Sequence, residues 1–196
     1  TKKYAIGNRD IEYFRNNGIA FSGDTITAKT ADMETADRAD FSNIYYTIYA
    51  KNNAGIESVK IIKVSNLLIE YEMKYGTGLW PTGGAIADTS GKITLTANSN
   101  ACQYGPYITL SAGTYIVTIN GENLYGNPKE RFCYDVITGA GNTKYIVESV
   151  YCNWTNTSTI TYSFTLKEKT EIIEMRVWSV NNSIEPIINS VTIKSE

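Results

Sequence analysis

Apolar and polar side chains alternate with a period of two along much of this chain. Tyr115, Val117 and Ile119 interleave with Ile116, Thr118 and Asn120, and Ile160, Tyr162, Phe164 and Leu166 interleave with Thr161, Ser163 and Thr165. A strand sends successive side chains to opposite faces, so such runs read as antiparallel strands with one face buried and one wet. Clusters such as NNG, NNAG, TSG, NGEN, TGAGN and VNNS interrupt the runs at strand-and-turn spacing. The pattern predicts an all-β chain. Helical character is expected only in residues 30–41, TADMETADRADF, read as a loop insertion carrying one helical turn.

A change of character falls near KVSNLLIEYEMKYG, and all three Trp lie after it. We place a junction at residues 65–68, which gives units of 1–66 and 67–196. No Pro or Gly stands between the flanking strands, so the linker is expected to be short and stiff.

Bulk properties narrow the functions. With 42% hydrophobic residues the chain can fill a core, and its formal charge of -2 lacks the concentrated positive field that phosphate backbones attract, so no nucleic-acid partner is expected. No run approaches the roughly 20 apolar residues of a membrane-spanning helix, and the opening residues lack a signal-peptide pattern. We therefore expect neither a membrane-spanning segment nor an export signal within it. Histidine is absent, which removes the commonest general base and zinc ligand. Cys102, Cys133 and Cys152 are too few for a disulfide framework; at most one bridge can form, and unpaired burial as small apolar groups is the simpler expectation.

Residues 46–64, YTIYAKNNAGIESVKIIKV, carry a more specific signal. They resemble the last hairpin of bacterial immunoglobulin-like repeats, in which an aromatic-rich strand reaches an A-K-x-N-A-G-x-E-S turn and a V-K-x-I-x-V strand follows. KKYAIG resembles a middle strand of such a repeat, and YFRNNGIAFSG its next connection. The resemblance implies a β-sandwich spacer that begins mid-domain, without its opening strands. An edge left unpaired in this way is expected to meet the second unit, the residue 30–41 insertion or another chain. The lesser alternative is a complete, unusually small β-unit of different topology.

GPYITLSAGTYIVTING (residues 105–121) and EMRVWSVNNSIEPIINSVTIK (residues 174–194) resemble the jelly-roll carbohydrate-binding modules attached to extracellular glycoside hydrolases and surface proteins. That resemblance implies a second sandwich, an extracellular or cell-surface setting and a polysaccharide or cell-surface glycan as partner. Sugar recognition needs flat apolar faces beside hydrogen-bonding side chains. If Ile173, Met175 and Val177 face the core, Glu174, Arg176 and Trp178 share the opposite face as a platform. Alternatively, another layer covers Trp178, with Arg176 stacked on it and paired to Glu174. YGTGLWPTGG places Trp80 in a Gly-rich loop, and CNWTNTS places Trp154 in a strand connection; Tyr104 in NACQYGPY and Tyr125 in ENLYGNP are further ligand-contact candidates. Glu70 and Glu72, with Asn189 near the last strand, are the oxygen donors of a structural calcium site if the unit holds one. Catalysis is not expected, because a sandwich of this size offers no deep cleft for a pair of carboxylates. The reading is a non-catalytic fragment of a secreted or surface protein, with glycan binding set against a purely structural or adhesive stalk.

Overall fold

The computed structural model describes residues 1–24, 26, 33, 39–64, 69–97, 100–124, 131–139, 144–152, 157–180 and 185–196. The chain divides into two compact units, Thr1–Ile69 and Glu70–Glu196. The expected all-β character holds in both.

In the first unit, β1 (Lys2–Ile6), β2 (Ile19–Ala20), β3 (Tyr45–Lys51) and β4 (Glu57–Lys63) form an antiparallel sheet in the order β2-β1-β3-β4. KKYAIG thus supplies an inner strand and residues 46–64 a hairpin. At the hairpin turn the Asn52 side-chain oxygen accepts hydrogen bonds from the Ala54 and Ile56 backbone N–H groups. A second sheet, which an immunoglobulin-like sandwich requires, is not among the described residues.

The connection after β1 needs a correction: it contains a helix, α1 (Ile11–Asn16), where the sequence suggested irregular chain. Asp10 caps it by accepting from the Tyr13 N–H at 2.9 Å. The helix buries Phe14, whose ring stacks on Tyr49 at 5.3 Å, in a small core with Ala5. Gly18 closes the turn with φ 87, and a Cβ there would meet the Phe14 ring at 2.7 Å. Most of residues 30–41, where a helical turn was expected, lie outside the described residues.

The second unit runs through β5 (Glu70–Met73), β6 (Trp80–Thr82), β7 (Ile86–Ala87), β8 (Ile93–Thr94), β9 (Cys102–Tyr104) and β10 (Pro106–Leu110), then β11 (Gly113–Glu122) and β12 (Arg131–Thr138). It continues with β13 (Lys144–Cys152), β14 (Thr159–Leu166), β15 (Thr170–Val180) and β16 (Ile187–Ser195). One six-stranded sheet has the order β13-β12-β15-β9-β6, with β10 also on β15; the other has β14-β11-β16-β8-β7, with β5 also on β16. From β11 onward the chain passes repeatedly between sheets, giving the expected antiparallel jelly-roll sandwich. Val117, Ile119, Ile160, Ile173, Met175, Val177, Val191 and Ile193 fill the interior at 0–1% exposure. Each such side chain contributes about 1.5–3 kcal/mol by leaving water. Tyr134 stacks on Tyr162 at 4.2 Å, and Tyr115 on Phe164 at 5.5 Å.

Candidate functional site

Alternation along β15 turns Ile173, Met175 and Val177 into the core and presents Glu174, Arg176 and Trp178 on the outer face, as expected. The neighbouring strands complete that face through their register. Thr82, Cys102, Trp178, Cys133 and Tyr151 form one continuous row, each residue opposite the next across β6, β9, β15, β12 and β13. Trp80 stands opposite Tyr104, and Asp135 opposite Arg176. Ile137 lies opposite both Glu174 and Tyr145. Five strands about 4.8 Å apart make a platform about 19 Å wide.

Over it lies an open groove of about 730 Å³, lined by Thr82, Cys102, Tyr104, Tyr107, Tyr151, Glu174, Arg176, Trp178 and their neighbours. Trp80 belongs to the same group, since its ring lies 6.1 Å from Tyr104 and 6.0 Å from Tyr107. Trp80 was expected in a loop; it sits in strand β6, tied to β9. Gly105 permits this approach, because with φ 117 a Cβ would fall 2.2 Å from the Gly78 carbonyl oxygen and 2.9 Å from the Trp80 ring. Tyr107 holds φ 61, a left-handed conformation that costs an aromatic residue about 1–3 kcal/mol. The residue remains 43% exposed at the groove wall.

The polar chemistry centres on Arg176. Its Nε donates to Asp135 Oδ1 at 2.9 Å and its Nη2 to Asp135 Oδ2 at 2.7 Å. Its guanidinium lies over Trp178, 4.4 Å from the ring centroid. The stacking expected of Arg176 is therefore present, but its partner is Asp135 and not Glu174. Asp135 is fully buried, and a bidentate pair of this kind is strongly disrupted when either partner is removed. The hydrogen bond to Asp135 is the main reason that the Arg176 pKa is raised.

Glu174 stands apart from this pair. Among the described residues no hydrogen bond or ion pair reaches its carboxylate. Burial raises its pKa above the ordinary glutamate value, only partly opposed by Arg176. Burial also pushes the Cys102 thiol to about 12, so it is an inert floor group and not a nucleophile. Cys102 and Cys133 flank Trp178 on opposite sides, two strand spacings or about 9.6 Å apart, too far to bridge.

Of the candidates from sequence, Trp80, Tyr104, Glu174, Arg176 and Trp178 come together on this face. Tyr125 and Trp154 lie outside the described residues. Glu70 and Glu72 are exposed on β5, opposite Lys194 and Thr192 on the other sheet. Among the described residues no three His, Cys, Asp or Glu side chains gather to hold a metal, and no helix is long and apolar enough to cross a membrane, which leaves strand-built membrane barrels unaddressed. Sequence reasoning missed Asp135, Tyr107 and Tyr151. For Asp135 a signal existed: in FCYDVIT an acid interrupts a strand apolar on both faces, a pattern that calls for a buried partner.

No family model and no curated protein matches this chain. Among solved structures, the C-terminal CBM6 of LamC, a marine laminarinase from Zobellia galactanivorans, is similar at 15% identity over 64% of this chain and 98% of that one, with a TM-score of 0.42. The CBM22-1 xylan-binding domain of Paenibacillus barcinonensis Xyn10C shares 9% identity over 64% and 92%, TM-score 0.42. CBM35 from the same organism shares 16% over 65% and 98%, TM-score 0.41.

Proposed function

We propose that the second unit is a non-catalytic carbohydrate-binding module whose ligand lies across the outer face of the β13-β12-β15-β9-β6 sheet. One observation carries this reading: Trp178, Trp80, Tyr104, Tyr107 and Tyr151 gather at an open groove whose charged lining groups are Glu174 and Arg176, the latter held by Asp135 beneath, with Thr82, Asn100 and Ser149 as neutral polar neighbours. Pyranose rings present apolar faces to aromatic rings while their hydroxyls need donors and acceptors at the rim, and this groove offers both. A width of about 19 Å suits several linked sugars rather than one.

Hydrolysis is not favoured. It needs two carboxyl groups free to act on opposite sides of a bond, whereas among the described residues of the groove Asp135 is buried in an ion pair, which leaves Glu174 as the other carboxyl group. The first unit would serve as a spacer in a secreted or cell-surface protein, a reading supported by the resemblance of its hairpin.

Affinity electrophoresis and Trp fluorescence titration against a polysaccharide panel test the proposal. Retention by at least one polysaccharide is expected, abolished in Trp178→Ala and weakened in Trp80→Ala and Tyr104→Ala. No response to any member, from a protein shown to be folded by circular dichroism, would overturn it.

A further inference from the structure

The charges of the groove are unevenly committed. Arg176 is engaged by Asp135 through two hydrogen bonds, its flat face is covered by Trp178, and its side chain is only 17% exposed. Among the described residues of the groove, a ligand carboxylate therefore finds no free cation. No Lys lines the groove among the described residues. Among the described residues, one cation stands against the two carboxylates of Asp135 and Glu174, which gives this part of the floor a net negative charge in a half-buried setting where charge is poorly screened. Glu174 is the unmatched group. It carries no hydrogen bond or ion pair among the described residues, and it lines the groove together with Tyr104 and Tyr107. Tyr107, Tyr104 and Trp80 stand in mutual contact at 6.0–6.1 Å, and aromatic rings attract cations through their faces.

Resting on the glycan reading above, we infer that Glu174 makes the groove selective for glycans bearing free amines, above neutral or N-acetylated sugars and far above uronates. An ammonium would donate to Glu174 in a charge-assisted hydrogen bond, which a hydroxyl or amide makes more weakly. A uronate would face the same carboxylate and the unmatched charge of the floor.

Calorimetry with a glucosamine oligomer, its N-acetylated counterpart, a galacturonate oligomer of equal length and oligolysine is the test. The glucosamine oligomer should bind about fivefold to tenfold tighter than the N-acetylated one, and the galacturonate oligomer not measurably. In Glu174→Gln the two amino-sugar oligomers should converge to within about twofold, the loss expected when a charge-assisted bond becomes a neutral one. Independently of any variant, high salt should shrink the wild-type preference for the free amine. An unchanged ratio in Glu174→Gln or at high salt, galacturonate binding as tight as the N-acetylated oligomer, or oligolysine binding as tight as the glucosamine oligomer would each overturn the inference. Binding of the N-acetylated oligomer without amine preference overturns this selectivity alone; binding of no sugar in the panel overturns the glycan reading with it.

Discussion

The two outer faces of the second unit have the same strand geometry and opposite chemistry. On β11, β14 and β16 the face presents Thr114, Thr118, Thr161, Thr165 and Thr192 with Asn120 and Lys194, and no aromatic ring stands on those strands' outer side. Its hydroxyls satisfy one another: Thr114 and Thr165 lie 3.1 Å apart, Thr118 and Thr161 3.4 Å, and the Thr159 hydroxyl donates to Asn120 at 3.3 Å. Such pairs stabilise the sheet by a few tenths of a kcal/mol to about 1 kcal/mol each and leave little for a ligand. The opposite face gathers Trp, Tyr, a buried ion pair and, among the described residues, one carboxylate without a partner. Alternation makes both faces, and only the residue types placed on the outward positions separate a wall from a site.

Removing the ion pair should break the contrast most severely. Asp135→Ala would leave the Arg176 guanidinium without its partner against Trp178 and should lower stability by about 3–5 kcal/mol in urea unfolding, with loss of glycan retention; Asp135→Asn, which keeps one acceptor, should cost less. Next come the aromatic platforms. Trp178→Ala and Tyr104→Ala should each weaken polysaccharide binding about tenfold or more by calorimetry.

A smaller effect follows from Glu174. Burial favours its neutral form, so its pKa is higher in the folded than in the unfolded chain. The folded state thus binds more protons between those two values, and stability falls as pH rises through that window. Glu174→Gln should accordingly raise the melting temperature at neutral pH and lose that advantage below about pH 4. A gain of equal size at both pH values would contradict the burial argument. The smallest effects belong to the opposite face: Thr118→Val with Thr161→Val should change stability by no more than about 1 kcal/mol and leave polysaccharide retention unaltered. Weakened retention in that variant would move the ligand to the wrong face.

Particular residues show why part of this was legible. The strict period of two through Ile173, Met175 and Val177 assigned Glu174, Arg176 and Trp178 to one outward face, because side-chain direction in a strand is local. Helix α1 was missed although Asp10, Glu12 and Phe14 form a short capped amphipathic turn, since six residues give too little periodicity to outweigh a turn reading. Trp80 was assigned to a loop because Gly76, Gly78, Gly83 and Gly84 surround it. Its strand consists of three residues held by pairing with β9, a partner distant in sequence.

What the sequence determined by itself is the alternation, and with it the all-β class, the core positions and the inward or outward sense of each side chain. What only the tertiary structure decided is neighbourhood: that β12 brings Asp135 to Arg176, that β9 and β6 bring Tyr104 and Trp80 to the same platform, and that Glu174 finds no partner among the described residues. Strand order and register arise from pairings between residues as far apart as Glu70 and Lys194, and a period of two carries no information about which strand becomes the neighbour.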